Sequence, residues 1–275
     1  MRSLGKENKN MMTINLILSV LLYAVATGLL LKQWLTVNKA PNKQPLYLAA
    51  TAVIFHAIYL HAMIYTAQGI DIGFFSSLTF TAWLMATLLV IASFSLPIGC
   101  LGLLVYPFAL ITLILRAISE QQNLLTDQLA SGLQTHILFS LLAYSILSIA
   151  VAQALLLYIQ DKYLHNKHPS GFLHSLPSLE TMQIMLFRII ALGVIALSIS
   201  LLSGFIYLDD MFAQHLVHKT VLSLIAWAVF VVLLWGHYKF GWRGKIAIKW
   251  TMSGFILLML AYFGSKFVIE LILNQ

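Results

Sequence analysis

Charge and cysteine are both scarce in this 275-residue chain: Asp, Glu, Lys and Arg make up 9% of it, and Cys100 stands alone. A single cysteine excludes an intramolecular disulfide, a CxxC redox pair and a CxxCH attachment motif, so any cofactor must be held noncovalently. The chain also has no P-loop, no HExxH helix and no GxSxG elbow. Those absences remove the common signatures of nucleotide, zinc-protease and serine-hydrolase chemistry, and a protein that is not an enzyme is expected. No internal repeat, low-complexity run or soluble domain is visible.

What the chain has in abundance is apolar surface: 60% of its residues are hydrophobic and its mean hydropathy is +0.90. A water-soluble core of this size would leave many apolar faces uncovered, so the composition predicts an all-α, polytopic integral membrane bundle. A helix needs roughly 20 apolar residues to cross about 30 Å of hydrocarbon. Stretches of that kind run near 12–31, 46–66, 76–95, 98–117, 133–158, 183–208, 219–238 and 250–272, which predicts about eight transmembrane helices in a single domain over 1–275. The polar start carries Arg2, Lys6 and Lys9, and the apolar run after it has no small-residue cleavage site, so it reads as a retained helix.

The formal net charge of +7 does not point to nucleic acid, because the cations are distributed as topology signals. Lys32, Lys39 and Lys43 follow the first helix, Lys162 and Lys167 the fifth, and Lys239, Arg243, Lys245 and Lys249 the seventh. Even numbers of helices separate these loops, so they share one side, which the positive-inside rule makes cytoplasmic. Asp71, Glu120, Asp127, Asp209 and Asp210 fall in the opposite loops. Both termini are then expected outside, in a cell inner membrane. The parity depends on Pro97, Gly99 and Gly102 splitting a long apolar stretch into two helices. Arg116 and Arg188, near helix ends, are expected to snorkel to the headgroups.

Nine histidines in so apolar a chain ask for an explanation. His56 and His237 lie in or at the edge of apolar segments, and an ionisable residue at membrane depth is a functional candidate by default. His136, His215 and His218 sit at segment ends. His165, His168 and His174 share a polar loop over 159–182 without Cys or carboxylate partners, and read as solvated. Asp209 and Asp210 lack the further oxygens that a hard cation needs. Ser140, Ala143, Ser148 and Ala152, and Gly193, Ala196, Ser200 and Gly204, are small residues that let helices approach closely in lipid. Trp242 and Trp250 suit an interfacial aromatic belt. Trp227, nearer mid-helix, requires a partner for its indole N–H.

The final quarter reads Lys219-Thr220-Val221-Leu222-Ser223-Leu224-Ile225-Ala226-Trp227, then Trp235-Gly236-His237-Tyr238, Gly241-Trp242-Arg243-Gly244, Gly254-Phe255 and Ala261-Tyr262-Phe263-Gly264. This resembles the cytochrome c assembly family of haem-handling membrane proteins (CcsA/CcmC type), and within it the YpjD/HemX-like branch. The likeness is fullest over 204–266, including Leu208-Asp209-Asp210-Met211-Phe212, and extends weakly to His136 with Ser140, Ala143 and Tyr144 and to Phe55-His56-Ala57. The resemblance implies noncovalent haem binding or haem transport through axial histidines. His56 is similar to the first intramembrane histidine, His237 to the second and His136 to the first external one. The sequence departs from the pattern in two places. Residues 209–218 hold no tryptophan where a Trp-Trp-Asp segment is expected, and residues 250–275 hold no second external histidine.

Haem iron takes two axial ligands, commonly imidazoles. His136 with His218 or His215 is one geometrically allowed pair, since both sides lie at the outer face. His56 with His237 is another, although His56 is roughly 15 Å deep and His237 lies near the inner edge, a mismatch of about 10 Å. Lys219 on the outer side and Arg243 on the inner are candidate partners for haem propionates, with Trp227 nearby. No metal other than haem iron is expected. The resulting expectation is a haem-binding or haem-translocating protein whose surroundings are the lipid bilayer, haem and cytochrome c assembly or haem-synthesis proteins. A membrane regulatory or scaffold protein of haem synthesis or metal homeostasis and a haem-containing, quinone-linked electron carrier are the rival readings. A small-solute transporter finds less support, because no paired broken helices with inverted symmetry are visible.

Overall fold

A computed structural model describes residues 2–36, 42–66, 69–119, 124–125, 131–165, 176–207 and 217–268. Long apolar runs become helices because hydrocarbon offers the backbone no hydrogen-bond partner, and a helix satisfies its own N–H and C=O groups. The helices are α1 (Arg2–Leu35), α2 (Gln44–Ile64), α3 (Phe74–Ser93), α4 (Gly102–Ile118), α5 (Ser131–His165), α6 (Leu179–Tyr207), α7 (Val217–Phe240) and α8 (Lys245–Met259), the last running on into a π turn at Leu260–Gly264. Among the described residues, eight helices are long and apolar enough to cross a membrane. The fold is an all-α polytopic bundle.

The break between α3 and α4 falls where Pro97, Gly99 and Gly102 place it. The chain turns at 94–98, passes through a 3₁₀ turn at Gly99–Leu101 and re-enters a helix at Gly102. Other boundaries move from their expected positions. Helix α8 begins at Lys245 instead of 250, because Gly241 and Gly244 take the left-handed φ values of 66° and 56° that close one helix and open the next. Lys245 and Lys249 are thus helical, not loop residues. Helix α5 begins two residues earlier than expected and continues through the polar turn 159–165, since ladder bonding at the interface does not require apolar side chains.

The helices fall into two compact units. The first contains α1–α4 and three two- or three-residue strands, β1 (Tyr65–Thr66), β2 (Gly69–Asp71) and β3 (Leu124–Leu125), joined antiparallel in the order β1-β2-β3. Tyr65 pairs with Ile70, and Asp71 pairs with Leu124. Helices α1 and α2 pack extensively, and Ala26 of α1 and Ala49 and Ala52 of α2 are fully buried small residues of the kind that allows close backbone approach. In the second unit α5 and α6 form the most extensive helix pair. Gly193 faces Leu147 across it so closely that an added Cβ would lie 2.5 Å from a leucine methyl.

Arg116 does not snorkel. It is 2% exposed, and its guanidinium meets the Asp71 carboxylate at 2.8 Å. Its Nε–H donates to Ser76 Oγ at 2.8 Å and its Nη1–H to the Ser119 carbonyl at 3.1 Å. Asp71 also accepts from Ser76 Oγ–H at 2.6 Å and from the Gly73 N–H at 2.9 Å. The network ties β2, the start of α3 and the end of α4 together. Arg188, by contrast, is exposed.

Breaking a buried ion pair from one side leaves an uncompensated charge, which costs about 3–5 kcal/mol, whereas removing both partners costs far less. Arg116→Met is therefore expected to lower the unfolding free energy in detergent by about that amount, with Asp71→Asn added to Arg116→Met recovering much of the loss. Wild-type unfolding of the single variant would show that the pair holds nothing together.

Candidate functional site

His56 lies in the middle of α2, in the first unit, and is fully buried. Its Nδ1 is 3.3 Å from the Tyr23 hydroxyl of α1, and the two rings meet edge-on with centroids 5.9 Å apart. Tyr106 of α4 stacks on Tyr23, also at 5.9 Å. Trp83 of α3 donates its indole N–H to the Val53 carbonyl, one turn below the imidazole. Nδ1 is thus committed to a protein oxygen. Nε2 is buried with no hydrogen-bond partner, the arrangement of a group whose remaining partner is not a side chain among the described residues.

His136 occupies the second turn of α5 in the second unit and is half-buried. Its Nδ1 lies 2.8 Å from the Ser200 carbonyl of α6, an oxygen that can only accept, so Nδ1 carries the hydrogen and Nε2 the lone pair. Ser203 Oγ–H donates to the same carbonyl at 2.8 Å, and Ser140 and Ser200 share a hydroxyl–hydroxyl bond at 2.6 Å. The small residues of α5 and α6 therefore do more than permit close packing. They orient an imidazole.

His237 lies in the last turn of α7 and is exposed. Its Nδ1–H donates to the Trp242 carbonyl at 2.8 Å, and its ring stacks on Phe187 of α6 with centroids 3.5 Å apart and planes 12° from parallel. The corner that holds it is built from glycines and tryptophans. Gly241 ends the helix, with its N–H bonded to the His237 carbonyl, and the chain folds back so that the Trp242 N–H reaches the Gly236 carbonyl. Gly236 is the seat of the Trp242 ring, and Trp250 of α8 packs against that ring at 5.3 Å.

The remaining sequence candidates fall in different surroundings. Trp227 donates its indole N–H to Ser198 Oγ at 2.9 Å, so its polar atom is engaged within the bundle. Arg243 is exposed and its Nε–H donates to the Gly241 carbonyl two residues back. His218 is exposed in the first turn of α7, next to Lys219. His215, Asp209 and Asp210 lie outside the described residues. His136 bonds to α6. Among the described residues, no three His, Cys, Asp or Glu side chains gather as a metal site would require.

His136 and His237 are not brought together. Both touch α6, at Ser200 and Phe187, and thirteen residues of helix separate those contacts by roughly 20 Å. No single iron spans that distance.

Sequence reasoning passed over Lys266, Gln153 and Gln160. Lys266 is 9% exposed and its ammonium lies 5.4 Å over the Tyr262 ring. It was legible as the sole Lys or Arg after Trp250. Gln153 and Gln160, both buried on α5, donate their amide N–H groups to the Met182 and Pro177 carbonyls. Nothing in an apolar helix marks which of its glutamines will do so.

With that geometry in view, comparison with known proteins gives a consistent picture. A family model described as cytochrome C assembly protein matches residues 44–273. The inner membrane protein YpjD of Escherichia coli strain K12 is 33% identical over 95% of this chain and its own full length. Protein HemX of Brevibacillus brevis is 23% identical over 90% of this chain and 93% of its own. The cytochrome c biogenesis protein CcsA of Chlamydomonas reinhardtii is 27% identical over 71% of this chain and 58% of its own. No solved structure matches.

The corner around His237 makes a specific prediction. A Cβ on Gly236 would lie 2.3–2.7 Å from three atoms of the Trp242 ring, and a rigid indole cannot yield as a flexible chain would. Gly236→Ala is expected to cost about 1–3 kcal/mol through overpacking and to shift tryptophan fluorescence as the Trp242–Trp250 contact opens. An unchanged spectrum and unfolding curve would show that the seat is not tight.

Proposed function

This chain belongs to the cytochrome c assembly protein family, and we propose that it is a multi-pass inner-membrane protein that binds haem noncovalently through histidine nitrogens and passes it along the bundle. The observation that carries the proposal is shared by His56, His136 and His237, the three histidines that the family resemblance singles out. Each has Nδ1 within hydrogen-bond distance of a protein oxygen, and among the described residues none of the three Nε2 atoms makes a hydrogen bond, that of His56 being buried as well. Metal-ligating histidines characteristically use one ring nitrogen in this way, which fixes the tautomer and aims the other at the metal.

The fit to haem can be judged on these atoms. Haem, when bound, supplies an iron centre that accepts axial imidazole nitrogen and whose potential is set by its surroundings. The Ser200 and Trp242 carbonyls hold His136 and His237 as the tautomer that a metal requires. With Nδ1–H donating to the Tyr23 hydroxyl, His56 takes the same form, and its orphaned Nε2 is the buried atom that an iron would satisfy. The roughly 20 Å between the α6 contacts of His136 and His237 makes them ligands at two separate positions. In our reading the two serve successive stages of haem movement.

Lys219, in the first turn of α7, is a cation toward the His136 end of the second unit, and Arg243 is one of the cations at the His237 end. Each is proposed as a propionate partner at its own end. Trp227 belongs to the wall between them. His218 is a further candidate ligand at the α7 start, with His215 beside it in the sequence. The cations after α1, α5 and α7 support a cytoplasmic face at the His237 end and termini on the outer side, and the α3–α4 break supports the loop parity on which this depends. Cytochrome c assembly or haem-synthesis proteins are the partners that the family implies.

Purification from haem-replete cells is expected to give a Soret band. His56→Ala and His136→Ala should each reduce haem content severalfold, while the helical circular dichroism stays unchanged. A wild-type protein that neither carries haem nor acquires a Soret band on haemin titration overturns the reading and leaves the scaffold alternative. Reduction of the bound haem by quinol would instead favour the electron carrier.

A further inference from the structure

Two of the three oriented imidazoles face an oxygen that can only accept. The Ser200 and Trp242 carbonyls therefore hold a hydrogen on Nδ1 of His136 and of His237. His56 differs. Its Nδ1 faces the Tyr23 hydroxyl at 3.3 Å, and a hydroxyl can donate or accept.

The two rings are held against each other by the helices around them. Tyr23, His56 and Tyr106 are all but fully buried. Tyr106 stacks on Tyr23 with planes 26° apart, and Tyr106 is itself seated on Gly102, where an added Cβ would lie 2.5 Å from its ring. On α2, the Trp83 indole N–H holds the Val53 carbonyl three residues before His56. What is left to rearrange between phenol and imidazole is the placement of their hydrogens.

Counting those hydrogens separates the two arrangements. Among the described residues, His56 Nε2 has no hydrogen-bond partner, and the Tyr23 hydroxyl has none besides Nδ1. If the hydroxyl donates to Nδ1, the ring hydrogen sits on Nε2, and that N–H alone is unsatisfied. If Nδ1–H donates to the hydroxyl oxygen, the phenol hydrogen and the Nε2 lone pair are both unsatisfied. Each buried polar group without a partner shifts such an equilibrium by about five- to a hundredfold. The first arrangement therefore prevails until a metal takes Nε2, and a metal requires the lone pair that only the second arrangement offers.

We propose that Tyr23 is the positioning residue that makes His56 a conditional ligand: its hydroxyl donates to Nδ1 and keeps the ring in the Nε2–H form until a metal binds, and then becomes the acceptor of Nδ1–H. The inference rests on the haem-binding reading above. The imidazole carries one hydrogen in both states, lost from Nε2 and gained at Nδ1, and the phenol keeps its own. Release of the metal restores the O–H···N bond. The carbonyl-bound rings of His136 and His237 have no such return.

The test is nitrogen NMR of the full chain with isotope-labelled histidine in phosphatidylcholine nanodiscs, the His56 signals being assigned by their loss in His56→Ala. Without porphyrin, the wild type is expected to carry the hydrogen on Nε2 and to leave Nδ1 unprotonated. In Tyr23→Phe, which keeps the ring that Tyr106 stacks on, the Nδ1 resonance should move as its accepted hydrogen bond is lost. With zinc protoporphyrin, a diamagnetic porphyrin whose metal takes an axial imidazole, the wild-type hydrogen is expected on Nδ1. A wild type that carries the hydrogen on Nδ1 without porphyrin overturns the proposal whether or not the variant folds. An Nδ1 resonance that stays in place in a folded Tyr23→Phe also overturns it. His56 signals unchanged at saturating zinc protoporphyrin remove His56 as a ligand and this inference together, whereas ligation by a ring already in the Nδ1–H form removes this inference alone.

Discussion

Hydrocarbon offers no hydrogen bonds, and a polar atom that enters it has to find its partner inside the protein. That constraint explains most of the polar detail in this molecule. Serines and threonines along the helices return their hydroxyls to the carbonyl four residues back, as Ser19, Thr27, Thr81, Ser145 and Thr251 do. The Arg116–Asp71 pair gathers Ser76, Gly73 and Ser119 around two charges until their principal bonding positions are filled. Against this background the unfilled atoms stand out. Among the buried side-chain nitrogens and oxygens that are described, His56 Nε2, Ser93 Oγ, Gln153 Oε1 and Gln160 Oε1 lack partners. Only the first is a strong metal ligand.

The same constraint governs how much of the fold could be read from the sequence. Eight apolar runs became eight membrane-length helices because in lipid the length of an apolar run is nearly a direct statement of structure. Pro97, Gly99 and Gly102 marked the one break inside a continuous run for the same reason. Helix ends were less legible, since at the interface water and headgroups satisfy the backbone and polar turns such as 159–165 remain helical. Partners far apart in the chain were not legible at all. A charge near the end of α4 reads as one that seeks the headgroups, and nothing local reveals an aspartate 45 residues earlier waiting for it. The pairing of Asp71 with Leu124 in a small sheet is hidden in the same way.

The candidate site divides along a similar line. Histidine in an apolar segment is conspicuous, so His56, His136 and His237 could be singled out, but the nitrogen each ring commits is decided by Tyr23, Ser200 and Trp242. The Gly-Trp-Arg-Gly signature acquires a physical meaning only in three dimensions. Gly241 and Gly244 supply the backbone conformations, Gly236 makes room for the indole, and the Trp242 carbonyl then holds the His237 ring against Phe187. Arg243 contributes charge at the surface of the same corner. Trp227, conspicuous by its position, donates its indole N–H to Ser198 and so turns its polar atom into the bundle.

The three oriented imidazoles differ most in their exposure: His56 is fully buried, His136 half-buried and His237 exposed. A permanent bis-histidine cofactor calls for two imidazoles at one depth, facing each other across the iron. In the second unit the two oriented rings are held near opposite ends of α6 instead, each fixed by a single backbone carbonyl. Among the described residues no second oriented imidazole faces either ring, so on the haem-binding proposal the other axial position of a bound iron would be filled from elsewhere, with His218 as one candidate. Protein-imposed orientation with an incomplete ligand set favours capture and release over retention. If the chain binds haem as proposed, this arrangement suits a cargo that moves better than a cofactor that stays.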